Sequence, residues 1–124
     1  MQAQELLETY DKAAIVIKQF YLAHMLESLN DENLPENFKD FVKEQGIDND
    51  TVAVMLTASP RTFFDVFDKN EIYIHITIMD DGKEVIFSHH ISKAVNSVYT
   101  PCSTRIEAER NGVEEAFKIL NDKL

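Results

Sequence analysis

Glu71-Ile-Tyr-Ile-His-Ile-Thr-Ile-Met79 is the stretch on which the fold turns. Its isoleucines, Ile72, Ile74, Ile76 and Ile78, recur at every second position. Read as a strand, it puts all four on one face and Tyr73, His75, Thr77 and Met79 on the other. Asp81-Gly82 follows, a dipeptide suited to the positive φ angles of a type I′ turn, and Lys83 to His90 reads as the returning strand. Upstream, Thr62 to Phe67 reads as a further strand, joined by a turn at Asp68-Lys69-Asn70. The expectation is a three-stranded antiparallel meander.

Helical patterns flank it. Gln4 to Leu29 holds good helix formers and neither Gly nor Pro, and reads as one long helix. Leu6, Tyr10, Ala13, Ile17, Tyr21, His24 and Met25 follow the spacing of one helical face, while Ile15, Leu22, Leu26 and Leu29 form a second stripe. A helix that is apolar on two sides needs cover on two sides, and a small domain has little to spare. Leu22 and Leu26 are therefore candidate contacts for a homodimer or a partner groove, the alternative being a helix central to the core. Pro35 to Gln45 reads as a short helix with Phe38, Phe41 and Val42 inward and Gly46 past its end. Asp48 to Ala58 fits either period, and the Asp48-Asn49-Asp50-Thr51 cluster tips it towards a helix. Lys93 to Pro101 is a connection of no evident type. Thr104 and Glu107 form a capping box for the last helix, whose apolar stripe is Val113, Ala116, Phe117, Leu120 and Leu124. Gly112 inside that helix costs about 1 kcal/mol relative to Ala, which marks it as a point of close packing. The fold class is α+β: the meander packed against the long N-terminal and C-terminal helices.

Composition sets the outer limits. The 124 residues suit a single domain, and 44% apolar with 27% charged residues is ordinary globular content. A net charge of −10 argues against binding a phosphate backbone. The lone Cys102 cannot form an intramolecular disulfide and fits a reducing, cytoplasmic setting. Glu5, Glu8 and Asp11 open the chain where a signal peptide would carry basic residues. The most apolar window, Ala13 to Leu29, is interrupted by Lys18, Gln19, His24 and Glu27 and is too polar to span a bilayer. Neither a membrane nor nucleic acid is an expected partner.

Several residues could carry chemistry. With Asp81-Gly82 as a two-residue turn, His75 faces Ser88 and His90 faces Tyr73, so His75 and His90 are diagonal neighbours on one face. Two histidines are half a metal site, since a catalytic zinc takes a third protein ligand. Asp65 is the candidate third ligand if the first hairpin's register shifts by one; otherwise these are ordinary sheet histidines. His89 points to the isoleucine face. Cys102 lies before a helix start, where a thiol can be acidified, yet no base is placed beside it by sequence. Ser103, Thr104 and Arg105 make a candidate anion site, although capping alone accounts for Thr104. Residues 1–50 hold 11 acidic and 4 basic side chains. Glu36, Asp40 and Glu44 recur every four residues as a charged strip, either a solvated face or a contact for a basic protein surface. The common nucleotide, zinc-protease, serine-hydrolase and thiol-redox motifs are absent.

From Glu71 onward the order of strand, Asp-Gly turn, strand, connection and a helix opening with Glu107-Ala108 resembles a double-stranded RNA-binding domain. Where that family grips RNA with basic residues at the helix start, this chain has Arg105, Ile106 and Glu109, and only Arg105 keeps the charge. The resemblance implies αβββα ordering without the RNA grip. The small, acidic α+β composition and the closing helix from Arg105 to Leu120 are also similar to the short accessory proteins of phages and mobile elements. The functional expectation is a non-enzymatic, homodimeric protein-interaction module without a cofactor. Its rival is a metal- or ligand-binding protein or small enzyme centred on His75 and His90.

Overall fold

The computed structural model describes residues 2–28, 35–37, 40, 44, 46–92 and 101–124. They include the helices α1 (Ala3–Thr9), α2 (Asp11–Ser28), α3 (Asn49–Ala58), α4 (Phe64–Lys69) and α5 (Arg105–Lys123). A 3₁₀ turn, Pro60–Phe63, leads into α4, and strands β1 (Ile74–Asp80) and β2 (Val85–Ile91) form an antiparallel pair. The fold is α+β as expected, with a two-stranded sheet. Phe38, Phe41, Val42 and most of Lys93–Pro101 lie outside the described residues.

The expected first strand, Thr62 to Phe67, is helical. Pro60 begins the 3₁₀ turn, and Phe63, Val66 and Phe67 then follow i, i+3, i+4 spacing, each no more than 1% exposed. Helical period beat the aromatic, β-branched composition that suggested a strand. The αβββα ordering on which the RNA-binding resemblance rested therefore lacks its first strand.

α4 ends in a Schellman arrangement. Ile72 N–H donates to Phe67 O (2.9 Å), Glu71 N–H donates to Asp68 O (3.0 Å), and Glu71 takes the left-handed conformation with φ 61°. The opening residue of the alternating stretch thus belongs to a helix cap. The ladder starts at Ile74.

The expected single N-terminal helix breaks at Tyr10. Asn121 of α5 supplies the reason: its Oδ1 accepts from Lys12 N (3.1 Å) and Ala13 N (3.3 Å), capping α2 from a distant part of the chain. The bend lets Leu6 and Leu7 of α1 and Ala13, Ala14 and Ile17 of α2 all enter the core. Asp48 caps α3 through Thr51 N (2.8 Å), and Thr104 caps α5 through Glu107 N (3.3 Å), as their sequences indicate. Val113, Ala116, Phe117 and Leu120 are buried as expected; Leu124, at the chain end, is exposed. Phe117 sits against Phe67 (ring centroids 5.6 Å) and Phe63 (6.4 Å), and Phe63 meets Tyr21 edge-on at 5.4 Å.

The hairpin turn is longer than two residues. Asp80 pairs with Val85, leaving Asp81 to Glu84 as the loop. Asp81's carboxylate accepts from Lys83 N (2.9 Å) and Glu84 N (3.0 Å), and Asp80's accepts from Gly82 N (2.9 Å). Those backbone bonds hold the Asp81 carboxyl below its ordinary pKa. Moving the register by two keeps each side chain on its expected face and changes every partner. His75 now faces His90, and His89 faces Ile76. On β2's other edge, Phe87 and Cys102 exchange backbone bonds of 2.9 and 2.7 Å. Cys102 thus occupies a third-strand position, on the edge opposite β1.

α5 crosses the isoleucine face at Gly112, where an added Cβ would lie 2.8 Å from Ile74 Cγ2 and 3.2 Å from His89 Cβ. The Ile74 branch is short and buried, and the His89 Cβ is fixed to backbone. Gly112→Ala is therefore expected to lose about 1–2 kcal/mol by urea unfolding, overpacking outweighing the gain in helix propensity. Glu71→Gly is expected to gain up to about 1 kcal/mol in the same assay by relieving the left-handed conformation.

Candidate functional site

The face of the hairpin turned away from α5 carries the chemistry-bearing side chains. Tyr73, His75, Thr77 and Met79 of the first arm stand beside Ser92, His90, Ser88 and Ile86 of the second, with Ser92 N–H donating to Tyr73 O (3.1 Å). The His75 and His90 rings are roughly parallel, 29° between planes, with centroids 6.1 Å apart. His75 Nε2 lies 2.7 Å from Ser92 Oγ. Both histidines are exposed.

Asp65 does not join them. Its expected place depended on a strand, and it lies instead on α4, exposed, where its charge acts on Tyr21. The Tyr21 hydroxyl donates to Thr62 O (2.6 Å) and is pushed up to about 12, by burial first and by Asp65 second. Among the described residues, no group of three or more His, Cys, Asp or Glu side chains is placed to hold a metal.

His89 points the other way, into the contact with α5. Its Nδ1 is buried without a hydrogen-bond partner. Burial lowers its pKa below the usual histidine value; His90 adds to that, and Glu115 of α5 opposes it. The neutral ring is a packing element of the helix–hairpin interface.

The other expected sites are dispersed. Cys102 is buried and its Sγ accepts from Asn111 Nδ2 (3.1 Å), an amide that cannot take a thiol proton. Arg105 lies over the Phe87 ring, 5.8 Å from its centroid, while Thr104 caps α5 and Ser103 is exposed. Thr104 and Arg105 thus have separate structural uses. On α2, Leu22 is half-buried and Ile15 is 52% exposed, while the Leu26 side chain lies outside the described residues. Glu36, Asp40 and Glu44 are helical and exposed.

A cleft between α1, α3 and α5 had no sequence signal. It holds about 130 Å³ and is lined by Ala3, Leu6, Leu56, Thr57, Arg110 and Glu114, with Arg110 Nη2 donating to Thr57 O (2.6 Å). That is below the few hundred Å³ of an ordinary ligand pocket, so it reads as a packing gap closed by an arginine. Only tertiary contact brings those three helices together.

No protein-family model, no curated protein and no solved structure matches the chain. No described helix is long and apolar enough to cross a membrane.

The pH response follows from His89. Its folded pKa is lowered, so the unfolded chain binds the proton more readily. Stability contributed by the neutral ring is present above the unfolded pKa of about 6.5, falls as pH drops through it and levels off below the folded pKa. Urea midpoints measured in chelator from pH 7.5 to 5 should fall with a slope of at most one proton, about 1.4 kcal/mol per pH unit. His89→Gln should flatten that slope.

Proposed function

We propose that this protein acts by contact with other protein chains, first with a second copy of itself, and catalyses nothing. The observation that carries the reading is the far end of the hairpin, where Ile78, Met79 and Val85 are 48%, 50% and 44% exposed. Met79 lies on one face of the sheet and Ile78 and Val85 on the other, so apolar side chains stand on both faces beside the charged loop. Adjacent apolar side chains on both faces of one projecting element are a common mark of a contact surface.

The edge of β1 supplies the geometry. Phe87 turns its backbone groups towards Cys102, so by antiparallel alternation Ile78, opposite it, turns its own away from β2. Ile74 and Ile76 do the same, and among the described residues that edge bonds to no other strand. Ile72 to Met79 carries no acidic or basic residue apart from His75, and it has no proline. It lacks the lysines and prolines that blunt an edge against pairing. In a chain of net charge −10, this stretch lets two copies meet without setting carboxylates against each other. An antiparallel β1–β1 pair centred on Thr77 sets Ile76 of each copy against Ile78 of the other.

The edge replaces the α2 stripe as the preferred contact, because Leu22 is already half-buried. The strip at Glu36, Asp40 and Glu44 is a second surface, suited to a basic protein partner. We place the protein in the cytoplasm, in an accessory role like that of the small phage and mobile-element proteins its closing helix is similar to.

Sedimentation velocity at about 100 μM tests the reading, a concentration at which a dissociation constant near 1 μM leaves a chain mostly dimeric. A dimer is expected for the wild type and for Leu22→Glu, and a folded monomer for Ile78→Lys. A monomeric wild type overturns self-association. A dimer that Leu22→Glu dissociates and Ile78→Lys does not overturns the edge in favour of α2.

A further inference from the structure

We propose that His75 and His90 form a two-imidazole site for a divalent transition metal, filled most readily by copper(II) and less readily by nickel or zinc. The inference rests on the register and is independent of self-association. Directly opposed residues in a hydrogen-bonded antiparallel pair have Cα atoms about 5.5 Å apart, and the Phe87–Cys102 bridge places His75 and His90 in such a pair. Two side chains then rise from adjacent, mutually bonded backbone positions on one face, with little freedom to separate.

The rings stand close enough to share an ion once they rotate. A metal–nitrogen bond of about 2.0–2.1 Å sets each ring centroid roughly 3.2 Å from the metal. Two such rings span at most about 6.4 Å when the ligands are opposed and less when they are bent. The observed centroid separation is 6.1 Å with 29° between the planes, so side-chain rotation alone brings both rings onto one ion. Ser92 Oγ, 2.7 Å from His75 Nε2, is a neutral oxygen that orients this ring and leaves Nδ1 for the ion.

The donor set selects the metal. Two imidazole nitrogens suit copper, nickel and zinc, whose affinities for a nitrogen site follow the Irving–Williams order, with copper highest. Calcium and magnesium take oxygen ligands, and no described carboxylate joins the pair in a metal-holding cluster. Water fills the remaining positions, giving an exchangeable, surface-held ion.

The test is calorimetric titration of the full chain with Cu²⁺, Ni²⁺ and Zn²⁺ in non-coordinating buffer, repeated on Ile78→Lys to separate the result from self-association. One ion per chain is expected, with copper bound tightest. His75→Ala and His90→Ala should each weaken copper binding at least about tenfold, whereas His24→Ala should leave it unchanged. The variants should keep the wild-type circular dichroism, and His75→Gln separates loss of the metal ligand from loss of the Ser92 hydrogen bond. Copper should raise the wild-type melting temperature and leave that of the two alanine variants unmoved, since the ion binds only the paired strands. Absence of wild-type binding, or binding that survives either alanine substitution unweakened, overturns the proposal.

Discussion

α5 lies directly on the hairpin at Gly112, and the arrangement of the rest follows from that contact. Only a residue without a Cβ allows the helix backbone to come so close to Ile74 and the His89 stem. With α5 seated there, Ile74, Ile91 and the His89 ring turn inward, and His75 and His90 turn outward. The same helix carries Phe117 one and a half turns further on, into the aromatic cluster with Phe63 and Phe67. Near its end it offers Asn121 to the start of α2. One helix therefore positions the hairpin, the aromatic core and the bend of the N-terminal arm.

The turn from Asp81 to Glu84 has the second-largest consequence, although it is short and exposed. Two aspartates fold their carboxylates back onto Gly82, Lys83 and Glu84 N–H groups and stabilise a four-residue loop. A two-residue loop would have left the histidines diagonal. The longer loop sets them face to face, while the period of two keeps the core face unchanged. Packing against α5 is thus insensitive to the change, and the outer face is remade by it.

The hairpin also divides by depth. Near α4 and Ser92 it is anchored, with Ile72, Ile74 and Ile91 buried; towards the loop its apolar residues emerge from the cover of α5. The anchored part carries the imidazole pair, and the emergent part carries the exposed end of the edge. Both features belong to one element, because α5 meets the hairpin at Ile74 and His89 and leaves Ile78 and Val85 near the loop exposed.

Local signals in the sequence were enough to specify several elements. The alternation of Ile74 to Ile78, the caps at Asp48 and Thr104, the stripe from Val113 to Leu120 and the tight contact at Gly112 are all short-range patterns. Each stands in the structure. The pairing of histidines on one face was legible for the same reason, since facing depends on parity alone. What tertiary structure decided was of longer range. Asn121 broke the first helix at Tyr10 across more than a hundred residues, and burial of Phe63, Val66 and Phe67 drew the segment read as a strand into a helix. That removed Asp65 from the sheet. Cys102 took the third-strand position, and the loop's hydrogen bonds chose the register that opposes His75 to His90. Period and capping are properties of neighbouring residues and are written in the chain; register, distant caps and the choice between near-equal local conformations are settled by which arrangement buries the most apolar surface with its backbone groups paired.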